Sequence, residues 1–273
     1  MSTPAEPAQK RGDSLLGSPA ERQIRLVIEY DGSAFNGWQA KARAPGGGEG
    51  RSVQEALEAA VEAVTGERVM VVGAGRTDAG VSALGQVACF RTRSTVPADR
   101  FAPALTSKLP RDVAVPRSDE VPPGFHPRKS AKMKLYRYCI STRAIRPAVG
   151  RGHVAHFGAE LDVDSMREGA KALVGTHDFT SFAAAEATRT KNPERTIERL
   201  DISCEGDTVM FEVEGPAFLM HMVRTIVGSL IEVGRGRETP EWIAEALAAR
   251  DRSAAGPTAP PEGLTLVWVR FDE

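Results

Sequence analysis

The feature that most constrains this chain is a short polar turn in the stretch 74–90. It lies between two apolar, strand-like runs. One run covers 69–72, the other covers 86–91, and the turn between them reads Arg-Thr-Asp-Ala-Gly. Glycines stand close to both ends of the turn, and glycine permits a positive φ and the close approach of another backbone. The pattern predicts a rigid, hairpin-like element that holds the carboxylate of Asp78 in a fixed place, as a catalytic group requires.

A plainer interpretation is that Asp78 hydrogen-bonds its own backbone in a surface turn, and the five turn residues alone favour it. The whole stretch, AGRTDAGVSALGQV, shifts the balance. It resembles the signature of the tRNA pseudouridine synthase A family, in which Gly-Arg-Thr-Asp-Ala-Gly-Val-His-Ala is followed by Gly-Gln-Val. The resemblance implies that Asp78 is the catalytic residue, with Arg76 beside it as a substrate-binding residue. Ser82 stands where the family usually has histidine, so no contact of that histidine is transferred.

Length and composition set outer limits on the fold. The 273 residues suffice for one large domain or two of ordinary size, and a hydrophobic share of 41% allows a sizeable core. No apolar run approaches the roughly 20 residues of a membrane span. Residues 1–22 lack the apolar centre of a signal peptide and predict a disordered tail. Together these features predict a cytoplasmic protein with no membrane association.

The three cysteines, Cys89, Cys139 and Cys204, lie far apart in the sequence. No Cys-x-x-Cys pair is present, which argues against a zinc site and against a disulfide framework. Each cysteine falls in a strand-like run, where a buried free thiol is the ordinary expectation. The sequence therefore predicts no metal site.

The overall charge gives no sign of nucleic-acid binding. Lysine and arginine total 35 against 36 aspartates and glutamates, for a formal net charge of −1. An RNA substrate would therefore require the positive charge to be gathered on one face of the molecule.

The first half of the chain predicts a ferredoxin-like α+β unit. Apolar and polar residues alternate over 24–30, as in a half-buried strand. Ser52 and Glu55 have the spacing of a helix capping box. The signature stretch, a helix at 97–109 and a short strand at 113–115 complete the order strand, helix, strand, strand, helix, strand.

The second half predicts a similar unit, with a first strand at 136–142 and a helix capped by Asp162. The remaining predicted elements are a hairpin of strands at 196–204 and 208–214, a long apolar helix at about 218–233, a helix from Thr239 and a last strand at 264–271. We therefore expect an α+β fold with an N-terminal domain at 23–123 and a C-terminal domain at 124–273. A glycine-rich loop at 41–50 is expected to be flexible. The resemblance implies two ferredoxin-like halves with antiparallel sheets joined around a basic central cleft.

A basic segment leads into the first strand of the second half. Arg128 belongs to a Phe-His-x-Arg sequence that matches the family, and Lys132 and Lys134 precede the Tyr-Arg-Tyr at 136–138. A solvated, charged strand edge is the ordinary interpretation. Because tyrosines are interleaved, contact with RNA phosphates and stacking on a base is the alternative. The resemblance assigns Tyr136 to the target base, and the three basic residues are candidate RNA contacts.

Arg224 lies inside an otherwise apolar run, FLMHMVRTIVG, at 218–228. A buried arginine without a partner is costly, so a carboxylate is expected beside it. A purely structural ion pair would satisfy that need. The resemblance implies that the partner is Asp78 and that Arg224 contributes to substrate binding. We interpret His221, three residues earlier, as structural or adjacent to RNA.

Two further segments bear on function. The loop at 189–195 is basic, and Arg189 and Lys191 are candidate RNA contacts. His177 and Asp178 suggest a hydrolytic triad, but no serine or cysteine occupies a nucleophile elbow. The glycines of the signature match neither G-x-G-x-x-G nor a P-loop, which argues against a nucleotide-phosphate-binding enzyme.

The resemblance extends over about residues 23–271, through several motifs in the family's order. It implies isomerisation of uridine to pseudouridine at positions 38, 39 and 40 in the anticodon stem-loop of tRNA, with no cofactor and no metal, by a homodimer. A non-catalytic RNA-binding protein on the same fold is the alternative. The joint presence of Asp78, Arg76, Tyr136 and Arg224 argues against that alternative, because binding alone does not need a carboxylate among phosphates.

Overall fold

The computed structural model of the chain describes residues 20–39, 51–184 and 192–272. The glycine-rich loop predicted at 41–50 lies outside the described residues, as does nearly all of the tail predicted at 1–22. Arg22, at the end of that predicted tail, already belongs to the first strand.

The described residues form eleven β-strands and six α-helices. The elements up to the middle of the chain are β1 (Arg22–Tyr30), α1 (Val53–Thr65), β2 (Val72–Gly73), β3 (Ser82–Thr92), α2 (Phe101–Thr106), β4 (Val113–Val121), α3 (Pro127–Ser130) and β5 (Ala131–Ser141). The later elements are β6 (Ala155–His156), α4 (Val163–Ala170), β7 (Gly175–Asp178), β8 (Glu194–Ile197), β9 (Arg199–Glu205), β10 (Thr208–Gly215), α5 (Met222–Gly234), α6 (Trp242–Ala249) and β11 (Leu264–Phe271). The order β1, α1, β2, β3, α2, β4 is the one that the sequence predicts for the first half.

One large sheet carries both parts of the chain. Its strand order is β4-β1-β3-β11-β5-β10-β9, with β2 paired to β3 and β6 paired to β5. Most neighbours are antiparallel, but β11 joins β3 in parallel, with Thr265 opposite Ser82 and Leu266 opposite Ala83. This mixed sheet with its helices confirms the predicted α+β class. The domain boundary near residue 123 stays a prediction.

The strand β1 forms as its alternation predicts. Ile24, Leu26 and Ile28 are fully buried in the core, while Glu29 is exposed. The strand pairs with β3 on one side and with β4 on the other. Burying one face of such a strand fixes its register, because a shift by one residue would exchange the two faces.

The edge strand β4 is longer than predicted. The sequence limits the strand to 113–115 because Pro116 follows, but the strand runs from Val113 to Val121. Proline lacks the N–H that an interior strand needs, whereas an edge strand has one side without a neighbour. Since β4 is the outermost strand beside β1, it accommodates Pro116.

Helix α1 has the predicted capping box. The hydroxyl of Ser52 accepts the backbone N–H of Glu55 at 3.1 Å, and the Glu55 carboxylate accepts the backbone N–H of Ser52 at 3.0 Å. Gly66 follows the helix in the left-handed conformation, which glycine adopts without strain. Both ends of this helix are therefore set by residues next to it in sequence.

Other predicted boundaries are wrong. The helix predicted at 97–109 is the shorter α2, preceded by a 3₁₀ turn, and the strand predicted at 196–204 is divided into β8 and β9, with β8 paired to β7. Helix α5 starts at Met222 rather than near 218. Among the cysteines, Cys89 is buried and Cys139 partly buried as free thiols, but Cys204 is exposed, against expectation.

Candidate active site

The turn that carries Asp78 is anchored by contacts with other parts of the chain. Strand β2 pairs with β3, and the N–H of Ala74 donates to the carbonyl of Val87 at 2.7 Å. Farther along, the N–H of Trp38 donates to the carbonyl of Thr77 at 3.1 Å. The hydroxyls of Thr77 and Tyr30 lie 2.8 Å apart. The backbone that leads into Asp78 is therefore held by buried groups rather than by the turn alone.

Glycines allow this close packing. Gly80 has a φ of 80°, as the sequence predicts for the turn. Gly37 has a φ of 90°, and a Cβ at Gly37 would lie 2.6 Å from the carbonyl oxygen of Thr77. A side chain at either position would displace the turn, so these glycines help to fix Asp78.

Asp78 forms an ion pair with Arg224. The Nη1 atom of Arg224 donates to Oδ2 of Asp78 at 3.0 Å, although 146 residues separate them in sequence. The Nε atom of Arg224 donates to the carbonyl of Ala259 at 2.8 Å, which fixes the guanidinium plane. Only 13% of the Arg224 side chain and 25% of the Asp78 side chain are exposed. The structure therefore contains the carboxylate partner that a buried arginine requires.

His221 is the site residue that the sequence interpretation underrated. It precedes α5 with a φ of 62°, and its Nε2 atom lies 3.5 Å from Oδ2 of Asp78. A left-handed conformation is uncommon for a residue other than glycine, and such residues cluster at functional sites. Helix α5 starts four residues later than predicted, and this later start places the His221 ring beside Asp78. The sequence feature that could have indicated this contact is the position of His221 in the motif, three residues before Arg224.

Tyr136 lies on β5 and is 8% exposed. Its ring packs edge-to-face on Phe218, with 5.1 Å between ring centroids. Burial, with smaller effects from Tyr30 and Asp78, raises the pKa of Tyr136, so the phenol stays protonated. Tyr138, two residues on, is fully buried and donates its hydroxyl to the carbonyl of Pro260 at 2.8 Å, so its role is structural.

A cavity of about 510 Å³ brings these side chains together. The predicted site residues that line it are Arg76, Asp78, Arg128, Lys134, Tyr136 and Arg224. The cavity is also lined by His221, interpreted from the sequence as structural or adjacent to RNA, and by Arg195, at the end of the basic loop predicted at 189–195. Among its described lining residues Asp78 is the one carboxylate, against five arginines and lysines. The positive charge that an RNA substrate requires is thus gathered here, in a chain whose net charge is −1.

The other predicted site residues fall elsewhere. Lys132 lies outside the cavity, exposed, and pairs with Asp272 at 2.8 Å. Arg189 and Lys191 lie outside the described residues. Ser82 is buried, and its hydroxyl accepts the N–H of Gly32 at 3.0 Å rather than lining the cavity.

The described residues contain neither a metal-binding cluster nor a membrane-spanning helix. No group of three or more histidine, cysteine, aspartate or glutamate side chains there is arranged to hold a metal ion. None of the described helices combines the length and the apolar character that crossing a membrane would take.

Comparison with known proteins identifies the family. The sequence model described as tRNA pseudouridine synthase matches residues 26–128 and 170–272. A tRNA pseudouridine synthase A of Myxococcus xanthus is 44% identical over 250 residues, which cover 91% of this chain and 92% of the relative. One of Acidiphilium cryptum is 47% identical over 254 residues, covering 92% and 97%. One of Acetivibrio thermocellus is 43% identical over 250 residues, covering 92% and 100%.

The names of these relatives define a class of RNA-modifying isomerases. The chain belongs to the tRNA pseudouridine synthase family.

Proposed function

We propose that this enzyme isomerises uridine to pseudouridine at positions 38, 39 and 40 in the anticodon stem-loop of tRNA, with Asp78 as the catalytic residue. The observation that carries the proposal is the position of Asp78. Its carboxylate is the one acidic group among the described residues that line a cavity rich in arginine and lysine. A carboxylate repels RNA phosphates, so its place there has a chemical rather than a binding purpose.

The reaction breaks the bond from ribose C1′ to N1 of uracil and forms a bond from C1′ to C5. The hydrogen on C5 leaves as a proton and N1 gains a proton, so no electrons are transferred and no external group enters. The chain's own residues therefore have to bind the base, turn it and move protons. Extruding the base from its stack costs a few kcal/mol, which binding in the cavity offsets.

Tyr136 and Arg224 support this chemistry from two sides. The phenol ring of Tyr136 offers a buried aromatic surface for the extruded uracil, braced by Phe218. Arg224 donates a charge-assisted hydrogen bond to Asp78 at 3.0 Å and so holds the carboxylate in place. Arg76 is exposed at the cavity and available to the RNA backbone.

The two carboxylate oxygens of Asp78 have different surroundings. Arg224 and His221 both contact Oδ2, and no described residue forms a hydrogen bond to Oδ1. We assign Oδ1 to the reacting atom, whether Asp78 attacks C1′, attacks C6 or takes a ribose proton. In each case the oxygen that approaches the substrate is the one to which no described residue donates a hydrogen bond.

We further propose that the enzyme works as a cytoplasmic homodimer, with one tRNA contacting both subunits. The support is the family alone. Light scattering of the purified chain tests the assembly, and a monomer mass in the presence and absence of tRNA would contradict it.

The decisive experiment measures tritium release from tRNA labelled at uridine C5, because isomerisation expels that hydrogen. We expect release by the wild type and none by Asp78→Asn, which retains the shape of the side chain. Asp99→Asn, an exposed aspartate outside the cavity, is the matched control and should release tritium at the wild-type rate. No release by a folded, tRNA-binding wild type would point to a non-catalytic RNA-binding protein, and equal release by Asp78→Asn would remove Asp78 from the reaction.

A further inference from the structure

Most of the positive charge in the cavity is not neutralised by the protein. Among its described lining residues, five arginines and lysines face one carboxylate, and Arg224 already pairs with it. Arg76, Arg128, Lys134 and Arg195 remain, and none of them forms an ion pair within 4.0 Å with a described carboxylate. Holding several like charges together costs free energy, and a bound anion would offset that cost.

Lys134 is the most unusual of these residues because it is only 7% exposed. It lies on β5, two residues before Tyr136, so both side chains point to the same face of the sheet. A Cβ at Gly75 would lie 3.9 Å from Nζ of Lys134 and 3.8 Å from the Tyr136 hydroxyl. The ammonium therefore sits beside the loop that carries Asp78. Burial and the nearby charge of Arg128 lower the pKa of Lys134 from 10.5 to about 8.

Arg195 is a second cation of the cavity without a described carboxylate partner, and it is partly buried. Its Nε atom is buried and has no hydrogen-bond partner among the described residues. Its Nη1 atom donates to the backbone carbonyls of Asn192 at 2.9 Å and Glu194 at 2.6 Å. Burial and Arg128 also lower the pKa of Arg195. Lys134, which is buried, and Arg195, which is partly buried, are thus both destabilised by loss of solvent and by the charge of the exposed Arg128.

Resting on the function proposed above, we propose that Arg128, Lys134 and Arg195 form a phosphate-binding site that holds a backbone phosphate of tRNA beside the target uridine. Arginine presents a planar fork of donors to phosphate oxygens, and lysine presents a compact charge. A phosphate would accept from the guanidinium of Arg195 and supply the counter-charge that Lys134 lacks. Asp78 does not supply it, because its ion pairs within 4.0 Å are with His221 and Arg224 and not with Lys134.

A phosphate is charged before, during and after the reaction, so such a site stabilises the bound state throughout. A cation that instead stabilises negative charge developing on the uracil acts only in the transition state. The first lowers Kd and KM, and the second raises kcat. This difference separates the two roles of Lys134 by experiment.

The test uses Lys134→Met, which retains the length of the side chain and removes its charge. The matched control is Lys171→Met, an exposed lysine that pairs with Glu168 away from the cavity. We expect Lys134→Met to raise the Kd for tRNA about tenfold and to lower the slope of log K against log salt by about one. The loss should fall on Kd and KM rather than on kcat, and Lys171→Met should match the wild type.

Three outcomes decide whether Lys134 belongs to a phosphate-binding site. Wild-type affinity and salt slope in Lys134→Met would overturn the proposal, and so would a lower kcat with an unchanged Kd. Should Lys134→Met not fold, Arg195→Gln and Arg128→Gln carry the same measurement. Binding is measured in the Asp78→Asn background, where no turnover occurs. A salt-dependent loss of binding would thus support the phosphate site even if the wild type released no tritium.

Discussion

The Nε2 atom of His221 lies 3.5 Å from Oδ2 of Asp78, and the backbone of His221 adopts a left-handed conformation with a φ of 62°. That conformation costs a residue other than glycine on the order of 1 kcal/mol. The strained residue is His221, just before α5, and its ring faces Asp78, the candidate catalytic residue. The strain at His221 thus lowers the free energy of unfolding at the residue whose ring contacts the carboxylate of Asp78.

We expect His221→Asn to separate stability from activity. Asparagine adopts the left-handed conformation readily because its short side chain can hydrogen-bond locally, so the melting temperature should stay unchanged or rise slightly. The contact with Oδ2 is lost, so kcat for tritium release should fall about tenfold through the poorer position of Asp78. Full activity in His221→Asn would show that His221 only shapes the start of α5.

Arg224→Lys should reduce kcat/KM by about two orders of magnitude. Lysine has no fork to donate both to Asp78 and to the carbonyl of Ala259, so one of these contacts is lost. Single-turnover tritium release measures the effect, and thermal unfolding checks that the fold persists. Wild-type kcat/KM in a folded Arg224→Lys enzyme would mean that the ion pair is structural only.

Gly37→Ala should destabilise the protein by at least about 2 kcal/mol, because the new Cβ meets the carbonyl of Thr77 and the φ is positive. The turn would shift, so activity should fall as well. Gly66→Ala is the matched control, with a φ of 75° and open space around its Cβ. It should cost about 1 kcal/mol and leave activity intact. Equal effects of both changes on activity would contradict the role of Gly37.

Lys134 should make stability depend on pH. Its folded pKa of about 8 lies below its ordinary 10.5, so the unfolded chain binds more protons between these values. The free energy of unfolding of the wild type should therefore rise, relative to Lys134→Met, by about 2 kcal/mol from pH 7 to pH 10. The other charged or titratable groups lining the cavity are Arg76, Asp78, His126, Arg128, Tyr136, Arg195, His221 and Arg224. These groups are present in both the wild type and Lys134→Met. Urea unfolding measures the two free energies of unfolding, and a difference that stayed constant from pH 7 to pH 10 would contradict the prediction.

Local patterns predicted much of the fold because their causes lie within a few residues. The alternation of β1 and the capping box of α1 are visible in the sequence and present in the structure. Pro116 misled the prediction for β4, since its cost depends on whether the strand has a neighbour on both sides. The start of α5 was misplaced for a similar reason, because the contacts of His221 with Asp78 come from a distant part of the chain.

By itself, the sequence determined the chemistry that this protein carries: the fixed turn around Asp78, the apolar run around Arg224 and the motifs that mark its family. Only the tertiary structure decided which charges meet. It placed Lys134 in the cavity and Lys132 outside it, although they are only two positions apart in the sequence. It also brought Arg195 to the same cavity and left its Nε without a described partner. Electrostatic cost depends on burial and on neighbours in space, and neither is recorded in the order of residues.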